Sequence, residues 1–152
     1  MGEADLLFQL DGDADVMKYI TLGIPRTMDE VIEKSMPRIL KSYQDKSDFG
    51  IFAAYLINSE KYIGWFQFEK DKEFEDSIEI GWRLKKQYWG NGYATEVATS
   101  LCELGIKMGK TIVARAMIEN LASIRVMEKA GLKFEKKFWY PDSSSPDVLY
   151  KR

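Results

Sequence analysis

Residues 87–96 read Gln-Tyr-Trp-Gly-Asn-Gly-Tyr-Ala-Thr-Glu, and the rest of the chain is read outward from them. The stretch follows a strand-like segment and opens a helix-like one. Gly90 and Gly92 remove two β-carbons where the chain must turn, so a ligand can approach the backbone closely. The first turn of the following helix has N–H groups without intrahelical partners and lies at the positive end of the helix dipole. Together these features make a cradle for a phosphate or pyrophosphate. The same spacing also serves a plain glycine turn, and the residues by themselves leave both readings open.

Other glycine motifs fit worse. A dinucleotide fingerprint needs Gly or Ala where Thr95 stands, and an acidic residue roughly 20 positions further on. A Walker A loop would use Gly109-Lys110-Thr111 as its tail, but position 104 is Leu, and a helical segment precedes it where a strand is required. Asp48-Phe49-Gly50 spells a kinase triplet without the accompanying catalytic loop or strand lysine.

The surroundings carry a resemblance. Glu79-Ile80-Gly81-Trp82 leads into Gln87, Gly90 and Gly92, followed by Tyr93-Ala94-Thr95-Glu96. Further on come Asn120, Ser123, Arg125-Val126-Met127-Glu128-Lys129, Gly131 and Phe134. Two motifs in this order are far more specific than either alone. The run from Glu79 to Phe134 resembles the GNAT N-acetyltransferases. Its nearest likeness is to the branch that modifies ribosomal-protein N-termini, aminoglycosides and other small amines. The likeness extends over most of the chain and is weaker before Phe49. It implies an α/β (α+β) fold, with a mixed, mostly antiparallel sheet flanked by helices. Members usually begin with a strand ahead of the first helix; here that strand is expected to be missing or irregular within Met1 to Leu7.

Composition narrows the function classes. The chain has 152 residues, enough for one domain with a substantial core. Its net charge of −2 provides no global field for nucleic acid or an anionic membrane. No apolar run approaches the roughly 20 residues of a membrane span, and no signal peptide is visible. Cys102 is the single cysteine, which excludes an internal disulfide and fits a reducing cytoplasm. The absence of histidine removes the Ser-His-Asp triad, the Cys-His pair and most zinc sites.

Periodicity gives the element order. Residues 3–20 read as a helix with a break near Gly12, and Leu6, Leu7, Leu10, Val16, Met17 and Ile20 on one side. Thr27 and Glu30 have capping-box spacing ahead of a helix in which Pro37 predicts a kink. Strands are expected over 51–55, 61–69 and 77–84, joined by short connections that favour an antiparallel meander. The third points Ile78, Ile80, Trp82 and Leu84 one way and Glu79, Gly81 and Arg83 the other. A central helix over 91–108 is expected to bury Ala94, Val97, Ala98, Leu101, Leu104, Gly105 and Met108, with Gly109 ending it. A strand over 111–118 precedes a helix capped by Asn120 and closed by Gly131. Two last strands, 133–139 and 147–151, enclose a loop from Pro141 to Pro146.

The resemblance makes acetyl-CoA the cosubstrate, with no metal, and a primary amine the acceptor, either a protein N-terminus or a small molecule. The amine must lose a proton, so a base is useful. The thioester oxygen gains negative charge as the amine adds, so an N–H donor is useful. Glu79 is the expected base, acting through a water. Ser123 is the expected acid or thiol contact, and Asn120 a polar contact to the pantetheine arm. The strand carrying Glu79 is expected to splay from its neighbour, so that backbone groups of Trp82, Arg83 and Leu84 pair with that arm. Gln87, Tyr88, Trp89, Gly90, Asn91, Gly92, Tyr93, Ala94 and Thr95 would hold the pyrophosphate. Many relatives have tyrosine where this chain has Met127, and Tyr93 and Tyr140 are candidate substitutes. For the acceptor, Trp65, Phe68, Trp139 and Tyr140 suggest an aromatic wall, and Glu73, Glu75 and Asp76 an acidic rim; each also reads as an ordinary core or surface residue. A missing first strand would expose the edge near residues 49–56, to be covered by the N-terminal segment or by a second copy in a homodimer. A non-catalytic module that binds acetyl-CoA or CoA as a sensor is the second reading of the whole chain.

Overall fold

The computed structural model describes residues 2–43, 48–141 and 143–152. Met1, within the expected irregular start, and Asp142, within the loop from Pro141 to Pro146, lie outside the described residues. Six strands form one sheet: β1 (Gly50–Tyr55), β2 (Tyr62–Lys70), β3 (Ser77–Leu84), β4 (Thr111–Met117), β5 (Lys133–Phe138) and β6 (Asp147–Lys151). Their order is β1-β2-β3-β4-β6-β5. β3 and β4 run parallel, whereas β6 pairs antiparallel with both β4 and β5. The expected mixed, mostly antiparallel sheet flanked by helices is therefore what the chain forms.

The chain divides into two compact units. The first comprises Met1–Gln67 and Trp82–Asn91, the second Phe68–Gly81 and Gly92–Arg152. In the first unit α1 (Glu3–Asp11) stops at Gly12, where the break was expected, but the helix expected to continue to residue 20 is replaced by turns. The cause is local. Asp13 turns its carboxylate onto the N–H groups of Asp15 at 2.8 Å and Val16 at 3.4 Å, an alternative to continuing the helix. Val16 and Met17 are buried as expected, while Ile20 is 45% exposed. The capping box forms as predicted: Glu30 N–H donates to Thr27 Oγ1, and Thr27 N–H donates to Glu30 Oε2. α2 (Met28–Glu30) then passes through a π-helical turn, Val31–Ser35, into α3 (Met36–Ser42). The kink expected at Pro37 takes this form, with Met36 N–H reaching back to Val31 O and proline in the first turn of α3. Leu7, Leu10, Val16, Val31, Ile51, Tyr62 and Trp65 make this unit's core.

Within that core Asp11 is fully buried and fully engaged. It accepts from Arg83, from Arg26 at 3.1 Å and from Ser35 Oγ at 2.5 Å. A buried carboxylate is tolerated only with such partners. Gly64 completes the arrangement. A β-carbon there would lie 2.1 Å from Arg83 O, so only glycine lets β2 approach β3 at this level.

In the second unit α4 (Tyr93–Lys107) buries Ala98, Cys102 and Gly105. Leu104 and Met108, expected in that stripe, are 47% and 39% exposed. The inward stripe is centred on Cys102, and Gly105 lies against Ile112 of β4. Asn120 caps α5 (Leu121–Lys129), its Oδ1 accepting from Ser123 N–H at 3.2 Å, as its position in the sequence predicts.

Among the described residues α1 is the first element, and β1 forms one edge of the sheet. Ser42 and Tyr43 cover part of that edge: Ile51 N–H donates to Ser42 Oγ at 3.3 Å, and Tyr43 OH donates to Ile51 O. No described helix is long and apolar enough to cross a membrane.

Candidate active site

The approach to the cradle is held by its own side chains and turns. A short 3₁₀ helix, Lys86–Tyr88, follows β3, and Trp89 Nε1 donates to Leu84 O at 2.8 Å. Asn91 Nδ2 donates back to Trp89 O at 3.0 Å. Gly90 and Gly92 then adopt φ of +74° and +83°, conformations that L side chains rarely enter. A β-carbon built at either glycine meets no heavy atom within 4 Å. The glycines are thus required by backbone conformation and not by crowding within the protein. Gly92 is also the N-cap of α4 and offers no side chain to its first turn. Intrahelical bonding begins with Glu96 N–H on Gly92 O at 2.9 Å, behind the N–H groups of Ala94 and Thr95. An uncapped helix of 15 residues behind an open glycine turn fits a pyrophosphate.

The parallel ladder between β3 and β4 pairs Ser77 with Thr111, Ile78 with Ile112 and Glu79 with Val113. Among the described residues it ends there, although β3 runs on to Leu84 and β4 to Met117. Glu79 therefore stands at the last rung.

Its carboxylate has a partner that sequence reading missed. Arg115, on β4, donates from Nη1 to Glu79 Oε1 at 3.0 Å. The same guanidinium holds Asp71 at 2.5 Å and Glu73 at 3.3 Å. The side chains of Asp71 and Arg115 are 1% and 10% exposed. Burial by itself would raise the Asp71 carboxyl. Hydrogen bonds from Arg115 and from the N–H groups of Phe74 and Glu73 outweigh it and hold the group below its ordinary range. Burial would likewise lower the Arg115 guanidinium, but Asp71 and Glu79 push it up and keep it charged. The available signal was an arginine inside an otherwise apolar strand, Thr-Ile-Val-Ala-Arg-Ala-Met, facing an acidic stretch that begins at Asp71.

Other expected site residues separate into two groups. Asn120 and Ser123 come together at the start of α5, with Ser123 half-buried. Tyr140, 45% exposed, has its phenol raised by burial and by Asp147, Glu73 and Glu79, against the pull of Arg115. It thus shares the electrostatic surroundings of the Arg115 cluster. Met127 is buried. The aromatic wall is not assembled, because Trp65 and Phe68 are core residues at 9% and 1% exposure. The acidic rim is partly neutralised, Glu73 by Arg115 and Asp76 by Lys110 at 2.7 Å. Arg83 does not turn its side chain outward. It lies on Asp11 with its guanidinium 5.0 Å from the Trp65 ring centre.

A mixed, mostly antiparallel sheet flanked by helices is the class of fold that this chain shares with solved GNAT-family acetyltransferases. The acetyltransferase (GNAT) domain family matches residues 2–133, and the chain belongs to that family. Among curated relatives, the FsC-acetyl coenzyme A-N(2)-transacetylase of Aspergillus fumigatus is 28% identical over 93% of this chain. The chain spans 63% of that relative's length. A GNAT-family acetyltransferase from Bacillus anthracis superposes with a TM-score of 0.79 at 28% identity, covering 99% of this chain and 88% of the other. The aminoglycoside acetyltransferase AAC(6')-Ib, crystallised with coenzyme A, shares the fold with a TM-score of 0.75 at 24% identity, covering 100% of this chain and 91% of that one.

Proposed function

We propose that the protein transfers an acetyl group from acetyl-CoA to a primary amine by direct attack. The observation that carries this reading is the Gly90–Gly92 turn, open at both glycines and leading into an uncapped helix. When bound, acetyl-CoA supplies a thioester acetyl group. Backbone N–H groups at the start of α4 hold its pyrophosphate, and those along Trp82–Leu84 pair with the pantetheine arm. Asn120 is half committed as a helix cap. Among the described residues its Nδ2 has no partner, which suits a contact to the same arm.

Glu79 accepts the proton of the amine through a water. Arg115 keeps its carboxylate oriented at the last rung of the ladder. Ser123, behind the Asn120 cap, contacts the departing thiol. The acceptor is a protein N-terminus or a small amine, as in the branch that modifies ribosomal-protein N-termini and aminoglycosides.

One observation favours a second reading. Glu79 is already hydrogen-bonded to Arg115, which suits a carboxylate with a structural task in a non-catalytic CoA-binding module. Thiol release from acetyl-CoA, screened across N-terminal peptides, polyamines, aminoglycosides and amino acids, separates the two. Turnover with one acceptor class is expected. Tight coenzyme binding without thiol release for any acceptor would leave only the second reading.

A further inference from the structure

The face of the sheet that carries Glu79 also carries a lysine with no role in the chemistry above. Residues paired across strands share a face, and so do residues two apart along one strand. Glu79 pairs with Val113, and Arg115 with Leu149. Leu149 also pairs with Lys136, and Asp147 with Phe138. Glu79, Arg115, Lys136 and Phe138 therefore stand on one face of β3, β4 and β5, all within the second unit.

Phe74 links the two ends of this row. Its ring centre is 5.8 Å from the Arg115 guanidinium carbon and 5.2 Å from Lys136 Nζ. The same Nζ is 5.8 Å from the Phe138 ring centre, so two rings bracket one ammonium. Neither ring depends on Lys136 for its place. Asp71, held by Arg115, accepts from Phe74 N–H at 2.8 Å, and Phe138 packs edge-on against Tyr140 with ring centres 5.1 Å apart. Among the described residues no carboxylate lies within ion-pair distance of Lys136. An aromatic face attracts a cation and not an anion, so the bracket selects by the sign of charge. Arg115 does not oppose a further cation, because Asp71, Glu73 and Glu79 all share its guanidinium. Asp147, opposite Phe138, adds a carboxyl to the same face, while Lys151 and Lys133 pair with each other in the row of Glu79.

We propose that Phe74 and Phe138 form a subsite for a second cation on the acceptor, and that Lys136 determines acceptor choice by filling this subsite with its own ammonium. The proposal rests on the acetyl-CoA reading, in which Glu79 receives the reacting amine. An acceptor with one amine reacts without disturbing Lys136. A long diamine gains from the rings only what remains after Lys136 is displaced from them. The protein therefore gives little advantage to an acceptor with a distant second charge, and removing the Lys136 ammonium creates that advantage.

Thiol release from acetyl-CoA tests this, using α,ω-diamines from diaminohexane to diaminododecane and the amino alcohols of equal length, which lack the second charge. Calorimetry on the whole chain repeats the comparison without coenzyme. Wild type is set beside Lys136→Met, the double variant Lys136→Met, Phe74→Leu, and Lys133→Met, each checked for folding by circular dichroism. Lys133→Met removes the same charge from the same strand outside the bracket. Wild type should give nearly equal kcat/KM for a diamine and its amino alcohol. Lys136→Met should favour the best-fitting diamine about fivefold, through KM and not kcat, the size of one cation–π contact. The double variant should lose most of that preference, and Lys133→Met should not acquire it. A diamine preference of Lys136→Met in calorimetry, in a protein that releases no thiol with any acceptor, would end the acetyl-CoA reading and leave the cation subsite standing. If Lys136→Met shows no diamine preference in either measurement, if the preference survives Phe74→Leu in full, or if Lys133→Met gains it equally, the proposal is overturned.

Discussion

Arg115 Nη1 lies 3.0 Å from Glu79 Oε1, 36 residues away along the chain, and the same nitrogen reaches Asp71 Oδ2 at 2.5 Å. One buried cation therefore joins the proposed base to a buried carboxylate that supports the loop after β2. Stability and chemistry at this point of β3 should be separable by mutation.

Glu79→Gln keeps the size and the hydrogen bond to Arg115 but removes the base. Activity at neutral pH should fall on the order of 10²–10⁴-fold, the usual range for general-base catalysis. Raising the pH should restore part of it, because more of the amine is then already neutral. Coenzyme affinity should stay near wild type. Ser123→Ala should reduce turnover less and show little rescue at high pH. Rates measured from pH 6 to 9, under conditions where chemistry is limiting, decide this. Wild-type turnover by Glu79→Gln throughout would reduce Glu79 to a structural carboxylate.

Arg115→Met should destabilise the fold, because it leaves the buried Asp71 charge without its cation. Removing one partner of a buried pair costs about 3 kcal/mol or more. The pH dependence of Asp71→Asn offers a second check. The Asp71 carboxyl is held below its ordinary value, so its contribution is fully present above the unfolded pKa of about 4 and is lost as pH falls through the lower folded value. Urea midpoints should therefore differ between wild type and Asp71→Asn at pH 7, and the gap should narrow at pH 3. A gap that is the same at both pH values would show that ionisation of Asp71 contributes nothing.

Gly92 and Gly109 make a matched pair for testing the cradle. Both have positive φ, +83° and +71°, and neither has a heavy atom within 4 Å of a built β-carbon. Alanine at either position should introduce similar backbone strain, about 1–2 kcal/mol. Only Gly92→Ala should weaken acetyl-CoA, by tenfold or more, because Gly109 follows the far end of α4. Equal coenzyme affinity for the two folded variants in calorimetry would remove the pyrophosphate from this turn.

The two sheet edges differ in how they are guarded. β5 carries Lys133, Glu135, Lys136 and Lys137, which discourage strand pairing. β1 reads Gly-Ile-Phe-Ala-Ala-Tyr, with no charge and with Phe52 and Tyr55 42% and 49% exposed. We expect self-association through β1 at high concentration, abolished by Phe52→Lys. Light scattering that finds wild type monomeric at every concentration would contradict it.

Several parts of this molecule were legible in short windows of sequence. The Thr27–Glu30 capping box, the Asn120 cap and the glycine turn at 90–92 each depend on residues within a few positions of one another. Local hydrogen bonds and φ preferences decide them wherever the segment finally lies; of the β3 face expected from alternation, Ile78, Ile80 and Leu84 are buried and Trp82 is only half-buried. The break expected near Gly12 is present, and the helix expected to resume through residue 20 failed for an equally local reason, the Asp13 side chain competing for the next turn's N–H groups. What only tertiary structure decided is which charges meet. Asp11 and Arg83 are 72 residues apart, and Arg115 lies 44 from Asp71. No periodicity links them. Their pairing follows from which strands lie side by side, and once the surrounding apolar residues exclude water, each buried charge must accept the partner that the sheet order brings to it.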